Sequence, residues 1–324
     1  MKKIVIVAFV LSFIINSYGL VVAQSADIEG KNWDIRFSSK SFYDDNVIQA
    51  PKSSANKPTG LGDESSYAFD FSGLGKYKFR ISKPLTITTS YRLNHTGYTD
   101  LSKYNQLTHT FGTDAAYFIP NTGKKIWRLN LRYYYMYNFI ANDAYNSVNS
   151  LSPSIMFMLD PKFGFTRINY TFTNQNNRQN LLRDTDSHSI GINHYYYIFG
   201  NLKRRLRVGY AYGNDEAKRG LNDLDSHTLK VRLKTPLIWG INLNTGYRYE
   251  SKDFDTRAVR IGTGKRDDDR HRFNVEFSKV LIKDYGFFEN LTGSLKYERI
   301  NNDSNDKLFE HNKNVVSLFL EVKF

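Results

Sequence analysis

Trp127-Arg128-Leu129-Asn130-Leu131-Arg132-Tyr133-Tyr134-Tyr135-Met136-Tyr137-Asn138-Phe139 alternates along its whole length. The odd positions are all apolar or aromatic, and the even positions carry Arg128, Asn130, Arg132, Tyr134 and Asn138. A period of two is the pleat of a β-strand, whose successive side chains leave opposite faces. The face with two arginines and two asparagines cannot be a dry core.

The same pattern recurs outward from this stretch. It predicts strands near 33 to 44, 65 to 81, 85 to 97, 106 to 119, 126 to 139, 148 to 159, 164 to 173, 187 to 199, 204 to 213, 226 to 235, 239 to 251, 270 to 281, 288 to 300 and 314 to 324, fourteen in all. The connections are expected to alternate in length. Those at 82 to 84, 120 to 125, 160 to 163, 200 to 203, 236 to 238 and 282 to 287 are short, and the seven between them are longer and more polar. Pro84, Pro120, Pro161 and Pro236 fall at or beside short ones, where a missing backbone donor is tolerated.

An even number of strands, alternating connection lengths and one apolar face per strand point to an all-β fold, a 14-stranded antiparallel transmembrane β-barrel of the outer-membrane type. A soluble sandwich would also alternate, but its turns would be evenly spaced and of similar length. Trp33, Trp127 and Trp239 each open a predicted strand on the short-turn side, where an aromatic girdle would meet the membrane interface. The chain ends Val316, Leu318, Leu320, Val322, Phe324 at alternate positions. This resembles the assembly signal that the barrel-insertion machinery reads, with Phe324 as the terminal aromatic.

Composition agrees. The 324 residues include 23 Tyr, 23 Phe, 7 Pro and no Cys, which excludes disulfide frameworks, thiolate metal sites and cysteine nucleophiles. Beyond the first 23 residues no apolar run is long enough to span a bilayer as a helix. Residues 1–23 read as a signal peptide: Lys2 and Lys3 precede an apolar stretch from Ile4 to Ile15, and Val21-Val22-Ala23 offers a small-residue cleavage site. Residues 24–32 are then a short periplasmic segment, and 33–324 the barrel. The expected location is a Gram-negative outer membrane, with outer-membrane lipid as the surrounding partner.

Parity assigns the second face of each strand to the lumen, and that face is basic. Lys76, Lys78, Arg80, Arg128, Arg132 and Arg167 fall there, as do Arg205, Arg207, Lys230, Arg232 and Lys234. Lumen-facing acids are scarcer. Glu250, Glu276 and Glu298 are placed to form cross-strand ladders with Arg248, Arg272 and Lys296. With a formal net charge of +13, the chain carries unpaired inward cations that must be hydrated or matched by anions, since buried unpaired charge is costly. Tyr134, Tyr195 and Tyr197 share this face, as lumen filler or as a stacking surface for sugar rings.

A repeat marks the outer rim: Asp184, Asp186, His188, then Asp223, Asp225, His227, then Asp267, Asp269, His271, with His109 in the matching place of an earlier strand. Carboxylates on alternate residues could bridge lipid phosphates through Ca²⁺ or Mg²⁺. The plainer reading has them capping loop backbones, with the histidines in the interfacial belt. Each triplet spreads along one strand and does not converge, so no metal and no cofactor is expected. The histidines point outward by parity, away from any luminal nucleophile, so no catalytic residue is assigned and an enzyme is not expected. The leader and lipid-facing band also argue against a nucleic-acid partner.

Phe42-Tyr43-Asp44-Asp45-Asn46-Val47, Arg266-Asp267-Asp268-Asp269-Arg270-His271 and Asn302-Asp303-Ser304-Asn305 resemble the barrel of the surface lipoprotein assembly modifiers. The resemblance covers 33 to 324. It implies a fourteen-stranded barrel that follows a periplasmic tetratricopeptide domain and helps deliver lipoproteins to the cell surface. Residues 24–32 are too few for such a domain, so a separate periplasmic partner would have to supply it. The leading expectation is therefore a water-filled, porin-like channel passing small anionic or polar solutes. The alternative is a translocation or assembly factor for surface lipoproteins or other exported proteins.

Overall fold

Alternation of this kind leaves each strand with one face that cannot enter water and one that cannot enter oil, and closing the sheet on itself serves both. The computed structural model describes residues 32–52, 65–120, 125–158, 163–178, 183–218, 223–258 and 264–324. Residues 1–31, which hold the expected leader and all of the segment before the first strand except Asn32, lie outside them. The strands are β1 (Trp33–Asp44), β2 (Ser66–Arg80), β3 (Leu85–Tyr98), β4 (Gln106–Phe118), β5 (Ile126–Ile140), β6 (Asp143–Met158) and β7 (Phe165–Asn177). They continue with β8 (Thr185–Tyr197), β9 (Arg205–Ala217), β10 (Leu224–Pro236), β11 (Asn242–Ala258), β12 (Lys265–Tyr285), β13 (Phe288–Ser304) and β14 (His311–Lys323). Every strand is antiparallel to its sequence neighbours in a closed barrel, and β1 meets β14 from Arg36 opposite Lys323 to Asp44 opposite Val315. Closure leaves no open edge, as a spanning sheet requires.

The outward face is apolar and solvent-exposed in the isolated chain. Leu131 is 49% exposed, Ile190 55% and Leu318 56%, values that suit hydrocarbon and would be costly in water. Within β6, Pro153 stands opposite Leu131 on this face. The ladder to β7 omits hydrogen-bonded pairs between Leu151–Phe172 and Ser154–Asn169 without changing register, as expected where proline lacks its donor.

Three expectations are corrected. The outer ends of several strands run beyond the boundaries read from alternation: β6 starts at Asp143, β7 continues to Asn177, β11 continues to Ala258 and β12 starts at Lys265. These extensions are mostly polar and carry no sustained apolar alternation, so pairing continues where hydrophobic contrast has ended. The connection expected to be long between β5 and β6 is a two-residue turn at Ala141 and Asn142, with φ of 50° and 72°. Positive φ at both positions gives a turn whose twist matches that of the flanking strands. Finally, Trp239 does not open β11.

Trp239 belongs instead to the preceding turn. Ile238-Trp239-Gly240 matches Ile198-Phe199-Gly200 between β8 and β9, with aromatic φ values of 57° and 54°. In both turns the left-handed backbone turns the ring outward, leaving Trp239 77% and Phe199 88% exposed. Phe163 and Phe287 are likewise exposed at short connections. The turn-side ring is therefore broader than three tryptophans. Trp33 is the first residue of β1, and Trp127 stacks on Phe157 with centroids 5.3 Å apart.

Candidate functional site in the barrel lumen

Strand register brings inward cations into direct opposition. Arg207 lies opposite Arg232 and Arg205 opposite Lys234 across β9 and β10. Lys230 lies opposite Arg248 across β10 and β11, and Arg248 opposite Arg272 across β11 and β12. Facing like charges destabilise a sheet unless something else compensates. On β11 to β13 acids do so: Arg248 meets Glu250 at 2.9 Å, Lys296 meets Glu298 at 2.8 Å, and Arg272 reaches Glu298 at 4.0 Å. Glu276 accepts a hydrogen bond from Asn244 at 2.9 Å.

Elsewhere the wall is less balanced. Lys76, Arg92, Arg128 and Arg132 surround a cavity of about 630 Å³ together with Tyr134. Arg132 pairs with Asp114 at 2.8 Å, while Arg128 lies 5.2 Å from the centre of the Phe118 ring. Arg167 donates to Ser154 at 3.0 Å. Lys78 and Arg80 are exposed at the turn end of β2, opposite Thr88 and Thr86. Arg205, Arg207, Arg232, Lys234 and Glu276 gather around a second cavity, of about 270 Å³, with Tyr195 in its wall. Tyr195 stacks on Phe165 at 4.3 Å, and Tyr197 is buried.

Two of the three stretches that carry the family resemblance line a cavity of about 800 Å³ at the outer end, through Arg266, Asp268, Arg270 and Asn302, and the residues that follow the third, Ile48 to Pro51, complete its wall. Arg266 and Asp268 are buried there as a bidentate pair, with Nε to Oδ1 at 2.9 Å. The guanidinium lies between Phe254 at 4.5 Å and Phe309 at 3.4 Å. Residues 45–52 fold over the same region. Asn46 donates to the carbonyls of Ala50 and Asn312 at 3.1 and 2.9 Å, and Lys52 reaches Asp303 at 2.7 Å and Glu310 at 3.4 Å. Asp45 accepts from both the backbone and the side chain of Asn314, and Asp44 pairs with Lys313 at 2.5 Å, so the first strand is clasped to the last.

Residues 33–324 match the family described as surface lipoprotein assembly modifier. The chain belongs to that family. Among solved structures the barrel is similar to the anion-selective porin from Comamonas acidovorans, with 11% identity over 90% of this chain and 98% of the porin at a TM-score of 0.45. It is also similar to OprD of Pseudomonas aeruginosa, at 9% identity over 91% and 97% with a TM-score of 0.42. For Omp33 of Acinetobacter baumannii the identity is 12% over 90% and 98%, with a TM-score of 0.40. No curated protein matches the chain. It is an outer-membrane β-barrel.

The rim repeat divides its carboxylates between side-chain and backbone partners: Asp186, Asp225 and Asp269 accept from Asn174, Tyr212 and Tyr249 at 2.6 to 2.7 Å. Asp184 and Asp223 each accept a backbone N–H across their hairpin, from Asn177 and Ala217, at 2.6 Å. The histidines face outward and pair with tyrosines of the adjacent strand: Tyr91 with His109, Tyr170 with His188, Tyr210 with His227 and Tyr247 with His271, at 2.6 to 2.9 Å. Among the described residues no group of three or more His, Asp or Glu is placed to hold a metal ion. The sequence pattern does not mark the Arg266–Asp268 pair as luminal, because apolar alternation in β12 begins only at 270 although the strand begins at Lys265. The parity shared by Arg266, Asp268, Arg270 and Arg272 was the available signal.

Proposed function

We propose that this barrel is an outer-membrane assembly factor that helps place lipoproteins on the cell surface, acting with a periplasmic partner that engages the cargo. The observation that carries this reading is the family match, which runs through the whole barrel from 33 to 324. The clasped outer end suits the same role. Residues 45–52 and 305–310 form a hydrogen-bonded cover over a buried ion pair, and such a cover can be displaced as a unit when cargo emerges.

The test is surface display. Cells lacking the protein should make a cognate lipoprotein at normal level but leave it inaccessible to external protease and antibody, and restoring the barrel should restore exposure. Unchanged exposure in the deletion strain would defeat the proposal.

A second reading is favoured by one observation, the excess of inward cations over acids. It is an anion-preferring diffusion channel, in which Lys76, Arg128, Arg132, Arg205, Arg207, Arg232 and Lys234 bias the field toward small anions. Planar bilayers separate the two. Stable open steps with chloride selectivity, in a protein whose loss leaves lipoprotein exposure intact, would support the channel and defeat the assembly role.

A further inference from the structure

The four cations at the turn end of the lumen are arranged differently from the others. Arg207 and Arg232 face each other across β9 and β10, as do Arg205 and Lys234, and none of the four forms an ion pair among the described residues. Their single acidic neighbour, Glu276, is engaged by the amide of Asn244. Two guanidinium groups are held in place by neutral partners. Both Nε and Nη2 of Arg207 donate to Asn193 Oδ1, at 3.0 and 2.7 Å, and Arg232 Nε donates to Asn244 Oδ1 at 2.6 Å. Part of each fork is thereby fixed and the rest has no acceptor among the described residues.

The support under this group is built for it. The Tyr195 ring, stacked on Phe165, lies 5.4 Å from the Arg205 guanidinium and 5.3 Å from that of Arg207. Glycine at 209 leaves room for Asn193 beneath Arg207, since a Cβ there would meet Asn193 Oδ1 at 2.3 Å and push that amide aside. Orienting four like charges toward one 270 Å³ space, with Glu276 the one acid in its lining among the described residues, is costly for an empty protein and favourable once an anion arrives.

We infer that this space is a binding site for a soluble, multiply charged phosphate-type oxyanion of about diphosphate size, held by Arg205, Arg207, Arg232 and Lys234. Planar forks select oxyanions over halide because they donate paired hydrogen bonds. The site stands apart from the question of cargo, and direct binding tests it whether or not the barrel conducts or exports.

The experiment is calorimetric titration of the folded barrel in neutral detergent with sodium pyrophosphate. The expected result is saturable binding at one site per chain, weakened at least about tenfold when salt rises from about 50 to about 500 mM. Arg232→Gln should weaken it about tenfold or more. Gly209→Ala, which changes no charge but displaces Asn193, should also weaken it. Pyrophosphate should raise the thermal midpoint of the unaltered protein more than that of either variant. Chloride at matched ionic strength should not compete at the site, and neither should short-chain phosphatidylglycerol. Non-saturable binding, or Gly209→Ala binding as well as the unaltered chain when folded, would reduce the site to diffuse charge and overturn the inference. Competition by the lipid would overturn the assignment to a soluble ligand.

Discussion

Asp268→Asn removes the charge that holds Arg266 and leaves the shape of the cluster nearly intact. Both side chains are almost sealed from solvent, at 8% and 6% exposure, and the guanidinium is flanked by Phe254 and Phe309. Losing one member of a buried pair costs about 3 to 5 kcal/mol, because the survivor keeps its desolvation penalty. The asparagine still offers one acceptor and the rings remain, so the lower figure applies: about 3 kcal/mol, or roughly 100-fold in a local opening equilibrium. Residues 303–311 and 264–270 pack on this pair, and hydrogen exchange of those segments in detergent should accelerate by about that factor while the mid-barrel strands stay protected. Arg266→Met with Asp268→Leu, which removes both charges, should recover most of the protection. Exchange unchanged in Asp268→Asn, or a double variant worse than the single one, would show that the pair does not hold the outer cover together.

Gly164→Ala should lower the thermal midpoint by several degrees, since at a φ of 85° its Cβ would lie 1.7 Å from the Tyr195 backbone carbonyl, whereas Gly209→Ala, whose Cβ meets only the movable end of the Asn193 side chain, should lower it slightly and Gly75→Ala, with nothing within 4 Å, not at all. The hydrogen bond from Lys307 holds the Glu310 carboxyl below the usual value of 4.5, against partial burial and with help from Lys52. A depressed carboxyl contributes stability that is complete above the unfolded value and is lost as pH falls through the folded one, so loop 305–310 should loosen only in acid below 4.5. By carboxyl NMR, Lys307→Gln should move the Glu310 midpoint upward. Phe324 stacks on Phe287 at 5.8 Å and meets Phe37 edge-on at 5.9 Å, so its deletion should reduce the heat-modifiable folded fraction recovered from outer membranes. An undiminished fraction would remove its role in assembly.

The barrel itself was legible because hydrocarbon enforces parity. Leu129 and Leu131 cannot exchange faces with Arg128 and Arg132 without ruinous cost, so the pattern survives in every membrane-spanning stretch. Beyond the bilayer that constraint lapses. Asp143, Ala144, Asn146 and Ser147 pair with β5, with the register shifting past Tyr145, although their alternation carries no apolar contrast, which is why a tight hairpin reads as a long loop. The start of β12 was hidden for the same reason, and with it the buried Arg266. Trp239 reads as a strand opener because an aromatic in a positive-φ turn and one at a strand start look identical in sequence. Which luminal cations lack acids depends on neighbours set by register, such as Arg207 opposite Arg232, and one chain's periodicity does not supply that register.

The central claim is that odd and even positions of a strand meet different media. The chain contains no cysteine, so single cysteines at 128, 129, 131 and 132 can each be read without background in liposome-reconstituted protein. A membrane-impermeant, water-soluble thiol reagent should modify positions 128 and 132 through the lumen, and a quencher buried in lipid tails should report only 129 and 131. Lipid-tail quenching at 128 or 132, with aqueous labelling at 129 or 131, would contradict the account.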